Sequence, residues 1–212
     1  QLFTCDAQGG ALYESKENQD YSHLGWADDE EFVVFSRPSS RMREAYSAAQ
    51  QGLQKRSAKA LAIRLLIPVY RLWKKRFASA GQKHRLSEGN MGYYVFRDQK
   101  PGAKGLLVGV LTTDGHPSYH PADPNVILTD TYADSEGFRH LLLIHKPSQR
   151  MLELGKFYSN NYVNDHRCDL HPRWMAGGTM IAVDAPHDGG GRQIVVLDAV
   201  LAVERLREGS GQ

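Results

Sequence analysis

Residues 166–174, HRCDLHPRW, gather two histidines, the second of the chain's two cysteines, two arginines and a tryptophan. Imidazole, thiolate and carboxylate are the groups that hold zinc and similar divalent ions. Histidine beside arginine is the pairing that moves a proton and neutralises a developing anion. His166, Cys168 and His171 lie within six positions, and His116 or Asp130 could supply a fourth ligand, although the spacing follows no standard zinc signature. A second cluster, DGHPSYHPADPNVILTDTY over 114–132, carries Asp114, His116, Tyr119, Asp130 and Tyr132. Other chemistry is absent from the pattern. GGGR at 189–192 does not open a helix after a strand, so no phosphate-binding loop is expected. His187 and Asp188 read as part of that glycine-rich turn, no Gly-x-Ser-x-Gly elbow occurs, and Cys5 and Cys168 make no disulfide framework.

The elements that must position these residues repeat. SHLGWADDEEFVVFSR (22–37), GHPSYHPADPNVILTDTY (115–132) and LHPRWMAGGTMIAVDAP (170–186) each run His, two residues, an aromatic, a polar turn and then an alternating strand. His23/Trp26, His116/Tyr119 and His171/Trp174 are the equivalent pairs. A residue present in every unit is first explained by architecture, which favours a structural role for His171 against the metal-ligand reading. His166, Arg167, Cys168 and Asp169 do not recur and stand out as chemistry. Further strands are expected at LFTCD (2–6), YYVFR (93–97), LLVGVL (106–111), HLLLIH (140–145) and QIVVLDA (193–199). Units of about 50 residues with several short strands each are the signature of a β-propeller blade. About three blades are expected, with a helix from 201 that frays into a polar tail. Three blades alone would leave two open sheet edges, so the chain is expected either to pair with another copy or, the favoured reading, to be a piece of a larger ring. An N-terminus that reads like the middle of a β-unit agrees.

Residues 38–89 break the pattern. Within 41–86 there are 12 Lys/Arg and one acid, Glu44, against 14 and 23 elsewhere. The segment is rich in Ala, Leu, Gln, Lys and Arg with helical spacing, and two helices are expected, at about 40–57 and 58–78, with Pro68 breaking or kinking the chain near Ile67. This insertion is read as a lid helix pair with a solvated basic face, or as an element that docks a protein partner or a membrane surface. No apolar run is long enough to span a bilayer. The expected domains are thus 1–37 (first blade part), 38–89 (basic helical insertion), 90–200 (blades) and 201–212 (short helix and tail).

On LTTDGHPSYHPADPNVILTDTYAD (111–134) and FYSNNYVNDHRCDLHPRWMAGGTMIAVDAPHDGGGRQIVVLD (157–198) the chain resembles bacterial TolB-like and oligogalacturonate-lyase-like propellers, and is similar in style to propeller-type polysaccharide lyases such as ulvan lyases. The resemblance covers about 1–37 and 90–200. It implies β-elimination on an acidic, uronic polysaccharide. His116, Tyr119, His166, Arg167 and Arg173 are then the catalytic candidates, Asp114, Tyr132 and Trp174 bind substrate, and Asp130, Cys168 and His171 hold zinc or another divalent ion. The alternative is a non-catalytic TolB-like scaffold whose basic segment, 41–85, meets a partner. Specific nucleic-acid binding is not expected.

Overall fold

A computed structural model describes residues 2–15, 19–38, 91–100, 105–108, 111–159, 167–187 and 191–208. The chain divides into two units, Gln1–Arg37 with Met91–Gln212, and Pro38–Asn90. The basic helices expected within 38–89 lie outside the described residues, as does His166.

The described chain is mostly β, in antiparallel sheets that follow sequence order. A hairpin, β1 (Leu2–Thr4) and β2 (Tyr13–Ser15), precedes three meanders. Sheet 1 is β3 (Gln19–Trp26), β4 (Glu31–Pro38), β5 (Gly92–Arg97) and β6 (Leu106–Val108). Sheet 2 is β7 (Ser118–His120), β8 (Asp123–Asp130), β9 (Phe138–His145) and β10 (Arg150–Tyr158). Sheet 3 has three strands, β11 (Arg173–Trp174), β12 (Met180–His187) and β13 (Gly191–Asp198), and leads into α1 (Val200–Glu208). Short turns built on Asp join neighbours. Asp28 accepts hydrogen bonds from the Glu30 and Glu31 amides, and Asp134 accepts from those of Glu136 and Phe138.

The strands of sheet 2 read as near-continuous apolar runs, VIL and LLLI, because both faces are covered. Val126, Leu128, Leu141 and Leu143 face Ile181 and Val183 of sheet 3 together with Val203 and Leu206 of α1. Ile127 and Ile144 face Val33, Phe35, Tyr93 and Val95 of sheet 1. Each such fully buried aliphatic side chain contributes about 1.5–3 kcal/mol relative to exposure. The far face of sheet 1 buries Phe32, Val34 and Phe96 with Leu2 of β1. Sheets 1, 2 and 3 therefore stack in order, face to face.

The helix is held at both ends. Asp198 Oδ1 accepts the Val200 amide at 2.9 Å, and Arg150 donates to the Leu206 and Arg207 carbonyls in the last turn.

Candidate functional site

Stacked sheets with the same register bring equivalent residues together. β7 pairs with β8 as Ser118↔Leu128, and β11 with β12 as Arg173↔Ala182. Two residues further along that alternation, His116 comes opposite Asp130 and His171 opposite Asp184. Along the stack the rings meet. His23 and His116 centroids are 4.3 Å apart, and those of His116 and His171 are 4.2 Å apart. The three histidines of the repeat form one column across three sheets.

Close backbone approach makes this possible. A Cβ on Gly115 would lie 1.9 Å from the Asp130 carbonyl oxygen, and one on Gly25 would lie 2.7 Å from that of Pro117. Only glycine lets the loop before β7 reach β8, and β3 reach that loop.

Each ring presents Nδ1 to a carboxylate. His116 Nδ1 is 2.9 and 3.0 Å from the two oxygens of fully buried Asp130, which also accepts the His116 amide at 2.7 Å. His23 Nδ1 is 3.2 Å from Asp114, which Arg37 approaches at 3.6 Å. His171 Nδ1 is 3.9 Å from Asp184, too far for a hydrogen bond but close enough for attraction. An ionised carboxylate only accepts, so the bonded Nδ1 of His116 and of His23 carries the proton. In the neutral form of such a ring Nε2 has the lone pair. A carboxylate behind histidine in this way is what fixes a metal-binding or proton-accepting imidazole.

His171 differs from its neighbours. Its backbone has φ +41°, a left-handed conformation costing about 1 kcal/mol or more for a residue with a side chain. Burial and the adjacent His116 hold its imidazole below the usual histidine range, which keeps it in the neutral, coordinating form.

Asp169 completes the site. It is buried, with Oδ1 taking Arg139 Nη2 at 2.8 Å and Nε at 3.2 Å, while Oδ2 lies 2.7 Å from Arg167. Arg139 is itself buried and donates to Ser159 at 2.6 Å, so its charge has no solvent to fall back on. Arg167 is the opposite case: its side chain is 54% exposed and lies over the Tyr132 ring at 5.3 Å. Tyr132 stands 6.1 Å from His23 and 6.0 Å from His116, and burial followed by the charge of Asp114 raises its phenol.

One ring nitrogen of His116, one of His171 and one oxygen of Asp169 lie within 4.8 Å of one another. Ligands about 2.1 Å from a tetrahedral ion are separated by about 3.4 Å, so modest closure would complete a three-ligand set. The donors fit zinc or another ion that accepts nitrogen and oxygen.

The candidates from the sequence thus divide. His116, His171, Asp114, Asp130, Tyr132 and Arg167 come together. Asp130 stands behind His116, where it orients the ring. Cys168 is buried with Sγ 3.7 Å from the Asp184 carbonyl, and burial raises its thiol. Tyr119 is a core residue of the sheet 1–sheet 2 junction that donates to Glu31 at 3.3 Å, and burial raises its phenol too. Arg173 and Trp174 sit on β11; Arg173 donates to the Pro172 carbonyl and Trp174 packs edge-on against His120 at 4.6 Å. Arg37 and Arg139 join the site with no motif to announce them, Asp169 belongs to the non-recurring HRCD stretch, and His23 enters from the repeat. The signal for His23 was the repeat itself, since equivalent positions on neighbouring first strands converge.

No family model, curated protein or solved structure matches the chain.

Proposed function

We propose that the three sheets are consecutive blades of a propeller of the TolB-like and oligogalacturonate-lyase-like kind. On this reading the histidine column is a site for a divalent cation and an acidic saccharide, which is cleaved by β-elimination. The carrying observation is the column itself: three equivalent histidines in tilted contact, their ring centroids 4.2–4.3 Å apart, two of them hydrogen-bonded through Nδ1 to an aspartate. Repetition alone explains a histidine in each blade. It also explains Asp130 and Asp184, which hold equivalent places on β8 and β12, but not Asp114, the loop residue that supplies the carboxylate for His23.

Attraction for an anionic ligand would come from the bound cation, because the side chains alone balance. With neutral histidines, Asp114, Asp130, Asp169 and Asp184 are matched in number by Arg37, Arg139, Arg167 and Arg192. His116, His171 and Asp169 would hold the cation, which supplies positive charge beside a uronate carboxylate and favours the enolate-like form. Arg167, exposed and able to leave Asp169, pairs with the same carboxylate. His23 Nε2, its ring oriented by Asp114, takes the proton from the carbon next to the carboxylate. Tyr132, held protonated by its surroundings, gives a proton to the leaving glycosidic oxygen. The C–H electron pair becomes the new C=C bond and the C–O bond breaks, so atoms and charge balance.

The test is a panel of uronic polymers (pectate, alginate, ulvan) with zinc, manganese or calcium added, read by the ultraviolet absorbance of an unsaturated uronate. The expected result is product that is lost in His23→Ala and in Arg167→Ala. Absence of product with every polymer and ion would falsify the lyase reading. Metal analysis of wild type against His116→Ala tests the cation site separately.

A further inference from the structure

We infer that the open edge of sheet 3 pairs with the same edge of a second copy of this chain. Sheets 1 and 2 have four strands, whereas sheet 3 has three. After β13 the chain turns into α1, whose Val203 and Leu206 join the core shared by sheets 2 and 3. Among the described residues β13 pairs only with β12, so its outer edge offers backbone donors and acceptors to another strand.

That strand is built for company. Val195 and Leu197 turn inward against the core, while Ile194 is 73% and Val196 47% exposed on the opposite face. Exposed edge strands are ordinarily protected by charge, proline or a bulge, and here the centre carries two apolar side chains. The strand is also self-complementary. An antiparallel pair with its two-fold axis at Val195 sets Arg192 opposite Asp198 of the second copy, and Ile194 opposite Val196 of the second copy, each twice. All four lie on one face, because they alternate by two. Shifting the axis by one residue places Arg192 against Val196, or Ile194 against Asp198, and the match is lost. Arg192 would have to leave its present neighbours, Asp184 at 4.0 Å and the Cys168 thiol, and with its side chain 48% exposed it can swing to the edge.

The product is a two-fold symmetric dimer with one continuous six-stranded sheet. Its interface is small, so association falls in the weak, concentration-dependent class. β13 is the edge of sheet 3 opposite β11, the strand that follows His171, so pairing leaves the histidine column accessible.

Sedimentation velocity across the micromolar range tests this on the full chain. The expected result is a monomer–dimer equilibrium, weakened about tenfold or more in Ile194→Lys by loss of both apolar cross-strand pairs. Arg192→Asp and Asp198→Arg should each weaken it, and the two combined should restore it. Because Asp198 also caps α1, circular dichroism checks the fold of that variant, and Ile194→Lys stands as the independent probe. A chain that stays monomeric throughout overturns the inference. So does a dimer that Ile194→Lys and Arg192→Asp leave at wild-type strength, since the contact would then lie elsewhere.

Discussion

Sheet 2 meets its two neighbours through junctions of different make. Toward sheet 3 the contact is aliphatic, with Leu128, Leu141 and Leu143 against Ile181 and Val183. Toward sheet 1 it is mixed, with aromatic rings and a buried hydrogen bond of 2.7 Å between the Tyr93 and Thr129 hydroxyls. An ion pair between Lys146 and Glu31 also crosses that side. Both junctions end in the same way, at a histidine–histidine contact of nearly equal length. The difference teaches that side-chain chemistry between the sheets is free to vary so long as spacing and register are kept, whereas the column depends on both.

The sharpest way to break the comparison is to open the aliphatic side. Leu143→Ala, at a fully buried position, is expected to cost about 2–5 kcal/mol in denaturant unfolding. On the mixed side Tyr93→Phe should cost only about 1 kcal/mol, because Thr129 keeps its bond to the Asp130 carbonyl. If the two losses are equal, the junctions are not built as described.

Between these lies the anchor of the column. Asp130→Ala leaves the His116 amide and Nδ1 without their shared acceptor, an expected loss of about 2–3 kcal/mol. Cation affinity, measured by calorimetric titration with zinc, should fall about 10–100-fold in the same variant. Cys168→Ser is the control, since the thiol points at the Asp184 carbonyl. A large fall in zinc affinity there would return the site to the cysteine.

The smallest effects are in pH. Burial opposes the charge on His140, but hydrogen bonds to Glu153 at 2.7 Å and Asp134 at 3.1 Å prevail and raise its value above 6.5. Its stabilisation is full below the unfolded value and fades as pH rises through the higher folded one. His171 has the reverse sign. Lowered by burial and by His116, it stabilises above 6.5 and loses that contribution as pH falls toward its folded value. Melting curves between about pH 5 and 8 should show His140→Asn flattening the alkaline slope and His171→Asn the acidic one. Identical pH profiles for the two variants would contradict these assignments.

Much of the fold was legible in the sequence. FVVF, VILTD and MIAVD each fall within a strand, as do YYVFR and HLLLIH, because alternation and β-branching report local backbone and burial together. Less of the site was. Recurrence of His23, His116 and His171 argued for architecture and against a shared site, yet stacking makes the same recurrence a convergence. Cys168 and Asp169 are adjacent in the chain and point to different places, the thiol into the interior and the carboxylate toward Arg139 and Arg167. Nearness in sequence could not sort them.

By itself, then, the sequence determined the strands, their turns and the three-fold recurrence, since these depend on neighbours a few residues away. Only the tertiary structure decided which polar residues share a site. Asp114 reaches His23 across 91 positions and Arg139 reaches Asp169 across 30, and such pairs exist only once the sheets have stacked. Their attraction is short-ranged and depends on desolvation. The apolar packing that brings the sheets together supplies both the distance and the dry surroundings.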